Sequence, residues 1–167
     1  MYAIVALSAF GAGIWVNMSR QADAPDSGAA ASLYAMTLPD LDGKQQSVSQ
    51  WRGKVLVINF WATWCAPCRE ETPIFVKLQN KYSAKGLQFV GISIDQADKT
   101  SEFAKEFKIN YPTLIGAFDT IDVSHQAGNR RRVLPYTVVL DRNGRVVAGE
   151  FGGLTEEKLE SLLAPVL

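Results

Sequence analysis

The feature that most constrains the fold is a pair of cysteines between a buried strand and an amphipathic helix. Residues 55–60 are the run Val-Leu-Val-Ile-Asn-Phe, whose apolar and β-branched content predicts a fully buried strand. The only two cysteines of the chain follow in the sequence Cys65-Ala66-Pro67-Cys68. Apolar residues then recur at helical spacing, which predicts a helix over about residues 65–85.

This arrangement places Cys65 at the start of a helix, where free N–H groups and the helix dipole favour a thiolate over a thiol. Pro67 suits the first helical turn, because its missing N–H costs no hydrogen bond there. Cys68 lies one turn on and can close a small ring with Cys65, so the pair predicts a dithiol/disulfide switch. A zinc site would need four ligands and only His125 remains, while a purely structural disulfide of this spacing would restrict the unfolded chain little.

The run from Phe60 to Cys68, followed by Glu71 and Pro73, resembles the thioredoxin-fold proteins of the TlpA/ResA type. These are membrane-anchored thiol:disulfide oxidoreductases that face the bacterial periplasm, and the resemblance covers about residues 35–165. It implies an α/β thioredoxin fold, with a mixed central sheet flanked by helices and an N-terminal β-hairpin extension. It also implies that no cofactor is needed beyond the Cys65–Cys68 disulfide, and no metal.

The resemblance carries roles onto particular residues. Cys65, Cys68 and Glu71 are the expected catalytic residues, with Glu71 moving protons or tuning the cysteine pKa values; a carboxylate in the first turns of a helix is also simply favoured by the dipole. Pro135 matches the proline that is cis in thioredoxin folds, and Leu134 before it would offer its backbone edge to a substrate peptide. The expected substrate-binding residues are Trp64, Ala66, Pro67, Leu134 and Pro135.

Three further features surround the motif. Thioredoxins bury an aspartate where this chain has Asn59, so the proton role falls to Glu71 or to water. Trp64 is expected to shield the sulfurs, whereas Trp61 either joins it or packs in the core. The run Arg130-Arg131-Arg132 precedes Pro135 and either lowers the pKa of Cys65, attracts acidic clients or serves solubility.

The N-terminal residues bear on where the protein is located in the cell. Residues 1–18 contain only Ser8 and Asn17 as polar side chains and would span roughly 27 Å as a helix, which fits a membrane anchor. A cleaved signal sequence ending near Ala24 and a buried core helix are the alternatives. Residues 19–32, rich in small and polar residues, predict a flexible linker, and residues 33–167 a thioredoxin-like domain.

Other elements follow from local patterns. A hairpin is predicted from residues 33–37 and 45–48, a second parallel strand from residues 87–95, and an amphipathic helix from residues 99–107. The step Asn143-Gly144 predicts a hairpin turn, and Thr155 predicts the N-cap of a final helix. Residues 111–115, 136–140 and 145–150 predict three more strands, and residues 121–126 a short helix.

These observations predict an exported thiol:disulfide oxidoreductase. The resemblance implies a reductase of disulfides in periplasmic clients, such as apocytochrome c or metal-site assembly factors, with a membrane thiol carrier as electron donor. The expected location is the periplasmic face of the inner membrane, or the soluble periplasm if the N-terminus is cleaved. Seventeen basic and seventeen acidic residues balance, so nucleic acid is not an expected partner. A dithiol oxidase and a thiol peroxidase are the alternatives, although the motif lacks the proline-to-cysteine spacing that a peroxidase needs.

Overall fold

The computed structural model describes residues 27–167, in which seven strands form two sheets. A hairpin of β1 (Thr37–Pro39) and β2 (Gln45–Ser47) forms the smaller sheet. The larger sheet has the strand order β5-β4-β3-β6-β7 and consists of β3 (Val55–Trp61), β4 (Leu87–Ser93), β5 (Thr113–Ile115), β6 (Tyr136–Leu140) and β7 (Val146–Phe151). Strands β3, β4 and β5 run parallel, whereas β6 and β7 are antiparallel to their neighbours.

Five helices of the described residues cover the two faces of the larger sheet: α1 (Ser27–Ala35), α2 (Ala66–Tyr82), α3 (Ala97–Glu106), α4 (Thr120–Gln126) and α5 (Glu156–Leu163). Strand β3 is buried along its whole length, because side chains alternate toward cores on both faces. Leu56, Ile58 and Phe60 pack in the core that includes α1, whereas Val55 and Val57 pack in the core under α2 and α5.

Helix α2 begins directly after Cys65 and is continued by a short 3-10 helix, Ser83–Lys85. Gly86 ends this segment with a left-handed φ of 85°, a conformation that glycine adopts at no steric cost. Residue 65 follows the carboxyl end of the central strand β3, so the sheet itself holds the cysteine pair at one edge. The predicted strand–Cys-x-x-Cys–helix unit is therefore confirmed.

The N-terminal boundary predicted from the sequence is wrong. The sequence predicts a flexible linker that includes residues 27–32 and a strand over residues 33–37, but Ser27–Ala35 forms α1 and the strand covers Thr37–Pro39. Alanine has the highest helix propensity, and Ala29 and Leu33 lie four residues apart on the face that enters the core. The folded domain thus includes residues before Leu33. The predicted anchor or signal sequence and residues 19–26 of the linker lie outside the described residues.

The remaining local predictions are confirmed with shifts of one or two residues at the ends. The hairpin β1–β2 lies beside the edge strand β5, which it meets through a bridge between Asp40 and Leu114. The Asp141 carboxylate accepts hydrogen bonds from the backbone of Asn143 and Arg145 and so closes the turn between β6 and β7. Thr155 caps α5 by accepting a hydrogen bond from the Lys158 N–H. Within residues 27–167 no helix combines the length and the apolar character needed to cross a bilayer.

Candidate active site

Cys65 and Cys68 form a disulfide, with their Cα atoms 5.3 Å apart. Cys65 is the N-cap residue of α2, so its sulfur stands at the positive end of the helix dipole, as predicted. Cys65 is 6% exposed and Cys68 only 1%. Cys65 is therefore the more exposed residue of the pair.

An apolar cluster surrounds the disulfide. Trp61, Ala62 and Phe103 are its other buried members, and the Trp61 and Phe103 rings lie 4.6 Å apart. Trp64 is 72% exposed, so most of its indole faces solvent, and Trp61 is the tryptophan that packs with the cysteines. The shielding of the sulfurs expected from Trp64 thus comes from Trp61 and Phe103, and Trp64 is left exposed.

The peptide bond between Leu134 and Pro135 is cis, as the resemblance implied. Pro135 is buried, and Leu134 packs against the apolar cluster that contains the disulfide. Within residues 27–167 neither the N–H nor the C=O of Leu134 makes a hydrogen bond. A backbone edge beside the disulfide is therefore available for pairing with an extended peptide.

Glu71 lies on α2 one turn after Cys68 and is almost completely buried, with 1% exposure. The Asn59 amide donates a hydrogen bond of 2.9 Å to Glu71 Oε1, and the Leu154 backbone N–H donates one of 2.9 Å to Oε2. Burial raises the pKa of Glu71 to about 7, and the two hydrogen bonds oppose that rise only in part. The carboxyl group therefore titrates near neutral pH, where it can both accept and donate a proton.

A cleft of about 250 Å³ opens next to Glu71. Its walls include Pro67 of the Cys-x-x-Cys motif and the segment from Gly153 to Glu156 that leads into α5. A Cβ atom on Gly153 would lie 3.3 Å from the Pro67 side chain, so a larger residue here would press on the motif. Glu71 itself lines the cleft, and Ala66 and Pro67 lie at the start of the helix that forms one wall.

Leu154 and Thr137 are site residues that the sequence analysis did not find. Leu154 contributes a backbone N–H, which no side-chain pattern marks, although Gly152-Gly153 before it was a sign of a close backbone approach. Thr137 accepts a hydrogen bond of 3.0 Å from the Asn59 amide. Its position within an apolar strand, β6, was the only available signal.

The arginine run is exposed and partly engaged. Arg132 forms an ion pair with Asp122 at 3.1 Å, and Arg131 lies over the Phe151 ring at 5.4 Å from its centre. Arg69, next to Cys68 in sequence, pairs with Glu106 at 2.9 Å. Since these cations are solvated or already paired, they offer little stabilisation to a thiolate in the apolar cluster.

No group of three or more His, Cys, Asp or Glu side chains within the described residues is arranged to hold a metal ion. The site brings together two sulfurs and one buried carboxyl group. These groups suit thiol–disulfide exchange coupled to proton transfer.

Comparison with known proteins gives a consistent picture. The Redoxin family matches residues 22–163 of the chain. Thiol-disulfide oxidoreductase ResA of Geobacillus kaustophilus is 30% identical over 164 residues, covering 98% of this chain and 91% of the relative. A thiol:disulfide interchange protein of the thioredoxin family from Chlorobium tepidum has a crystal structure with a TM-score of 0.72 and 27% identity, covering 78% of this chain and 92% of that one. A secreted thiol-disulfide isomerase from Corynebacterium glutamicum has a TM-score of 0.72 and 25% identity, covering 80% and 84%.

The fold, the paired cysteines and these similarities define a thioredoxin-fold protein thiol:disulfide oxidoreductase of the TlpA/ResA type. The chain belongs to the Redoxin family.

Proposed function

We propose that this protein is an exported reductase that transfers two electrons from its Cys65–Cys68 dithiol to disulfides of client proteins. The general activity follows from the family, whereas the direction of electron flow rests on the surroundings of the sulfurs. Export is supported by the resemblance of the N-terminus to an anchor or signal sequence and by the similarity to the secreted isomerase of Corynebacterium glutamicum.

The observation that carries the proposed direction is the placement of the disulfide in an apolar cluster beside a buried carboxyl group. Low polarity disfavours a charged thiolate, and a negative charge on Glu71 disfavours it further. A strong oxidant such as DsbA owes its potential to stabilisation of its reduced form. Here the helix N-terminus at Cys65 favours the thiolate, but the apolar cluster and Glu71 oppose it. The reduced form is therefore disfavoured, and the dithiol acts as an electron donor.

The reaction proceeds through a mixed disulfide. The Cys65 thiolate attacks one sulfur of the client disulfide, and the other client sulfur leaves as a thiolate that takes up a proton. Cys68 then loses its proton to Glu71 and attacks Cys65, which releases the second client sulfur to be protonated in turn. Two electrons and two protons reach the client, and the Cys65–Cys68 disulfide remains.

The client binds along the surface that surrounds the sulfurs. The unpaired backbone edge at Leu134, next to the cis peptide bond of Pro135, aligns an extended peptide, and the exposed Trp64 indole offers an apolar contact beside Cys65 in the chain. We propose periplasmic clients such as apocytochrome c or metal-site assembly factors. A membrane thiol carrier would return the electrons, with the protein at the periplasmic face of the inner membrane.

The reduction potential of the Cys65–Cys68 pair tests this proposal. A reductase should lie close to the potential of thioredoxin, about −270 mV, and well below that of DsbA, about −120 mV. A value near that of DsbA would reverse the direction and favour the dithiol oxidase. Peroxide consumption by the reduced protein, compared with the Cys65→Ser variant, separates both from a thiol peroxidase.

A further inference from the structure

Asn59 is an amide in the middle of a fully buried strand. It lies directly opposite Thr137 in the antiparallel pair of β3 and β6, and both side chains point toward α2. Burying an amide costs free energy unless its hydrogen bonds are made. The Asn59 Nδ2 group makes two, at 2.9 Å to Glu71 Oε1 and at 3.0 Å to Thr137 Oγ1.

These two bonds fix which end of the amide faces Glu71. Both N–H donors of the amide are engaged, so turning the group to present its oxygen would break both bonds and set an acceptor against the carboxylate. The carboxylate can only accept, so it orients the amide with Nδ2 toward Glu71, and the Thr137 hydroxyl anchors the same group by accepting its other N–H. The second Glu71 oxygen is held by the Leu154 N–H, so donors from two separate parts of the fold orient the carboxylate.

We propose that Asn59, held in place by Thr137, is a positioning residue that orients the Glu71 carboxylate for proton exchange with the dithiol. This rests on the role of Glu71 in the proposed function, but not on the direction of electron flow. An amide is suited to the task because it donates hydrogen bonds to the carboxylate and does not itself titrate. Glu71 then remains the one buried carboxyl group under the disulfide within the described residues.

Other titratable groups lie near Glu71, and their titration must be distinguished from that of Glu71 in any pH measurement. Burial raises the pKa of the Tyr111 phenol, and the nearby charge of Glu71 raises it further. Glu70 and Glu156 line the adjacent cleft, and Glu156 is paired with Lys77 at 2.7 Å. Cys68 lies on the same helix, one turn before Glu71, and does not titrate while the disulfide is intact.

The test is a carboxyl ¹³C NMR titration of the oxidised protein labelled at glutamate, with the Glu71 signal identified by its loss in Glu71→Gln. The wild-type midpoint is expected at about 7. In Asn59→Leu, which removes the donor, the midpoint should rise by about one pH unit or more. In Asn59→Asp, two adjacent carboxyl groups should titrate in two steps, the upper one above the wild-type midpoint.

Thr137→Val keeps the shape of the side chain and removes only the acceptor, so it is the variant to rely on if Asn59→Leu does not fold. Its midpoint should also rise, by less than in Asn59→Leu. Thr100→Val is the matched control, because Thr100 is equally buried and bonds to Ser93 and Gln96 rather than to this network. It should leave the Glu71 midpoint unchanged.

A Glu71 midpoint that stays at the wild-type value in Asn59→Leu or in Thr137→Val would overturn the proposal for the residue concerned. An equal rise in Thr100→Val would overturn it as well, since the effect would then follow any buried substitution. Because the titration uses no client, it stands apart from the reductase proposal. If the reduction potential resembled that of DsbA and the NMR shifts were as expected, the proposed direction of electron flow would be wrong. The positioning role of Asn59 would still hold.

Discussion

Cys65 and Cys68 have different surroundings, although they are only three residues apart in the chain. Cys65 caps the helix and keeps 6% exposure, whereas Cys68 lies within the first turn and is 1% exposed. The attacking sulfur must reach a client disulfide and the resolving sulfur only has to reach Cys65. This difference supports the proposed roles, in which Cys65 attacks the client disulfide and Cys68 resolves the mixed disulfide.

Cys68→Ser should therefore accumulate mixed disulfides with clients through Cys65, because attack remains possible and release does not. Diagonal non-reducing gels of membrane extracts measure the trapped species. Cys65→Ser is the matched variant and should trap little. Accumulation in Cys65→Ser instead would exchange the two roles.

The buried carboxyl group of Glu71 should also make stability depend on pH. Its pKa is about 7 in the folded protein against 4.5 for the free group, so the folded state binds the proton more tightly. The resulting stabilisation is complete below about pH 4.5 and is lost as pH rises to 7. With 1.36 kcal/mol per pKa unit, ionisation at pH 8 costs about 3 kcal/mol relative to the protonated form.

Urea unfolding of the oxidised protein at pH 5 and pH 8 measures this loss. Glu71→Gln should abolish most of the difference between the two pH values, because the amide does not titrate. Asp40, Asp95 and Asp141 have lowered pKa values and are ionised throughout this window, so they do not contribute. A variant that kept the wild-type pH dependence would show that another group is responsible.

At the scale of elements, α1 is part of the core rather than a linker. Leu33 is completely buried, and Ser32 of the same helix donates a hydrogen bond of 2.7 Å to Gln126 at the end of α4. Helix α4 in turn leads toward the loop that carries the cis peptide bond. Helix α1 therefore packs on the face of the sheet opposite α2.

Leu33→Ala should lower the free energy of unfolding by roughly 2–5 kcal/mol, the usual cost of removing a buried leucine side chain. Val147→Ala is a control at an exposed apolar position, 41% accessible, where the change should stay within about 0.5 kcal/mol. Urea titration at pH 7 measures both. Equal, small effects would mean that α1 adds little to the stability of the domain.

At the scale of the whole molecule, the redox state and the fold are linked. If the surroundings of the disulfide disfavour the dithiol, the folded protein must be more stable when oxidised. The thermal unfolding midpoint should then be higher for the oxidised protein than for the reduced one at pH 7. Calorimetry of both forms measures this, and a more stable reduced form would point to an oxidant of the DsbA kind.

Much of the fold could be predicted from the sequence because its signals are local. The apolar run of β3, the turn at Asn143-Gly144 and the cap at Thr155 each depend on residues that are neighbours in the chain. The cysteine pair and its place at the start of a helix belong to the same class. The cis bond at Pro135 came from the resemblance, not from composition or spacing.

The tertiary structure decided the features that depend on contacts between distant residues. The Ala-rich sequence of α1 has the composition of a linker. It forms a helix of the folded domain because Ala29 and Leu33 pack in the core against the sheet. The sequence placed Glu71 near the cysteines, but its proton affinity depends on donors 12 and 83 residues away, at Asn59 and Leu154. A short segment determines its own turns and caps, whereas the desolvation and hydrogen bonding of a buried group are set only when the whole chain has closed around it.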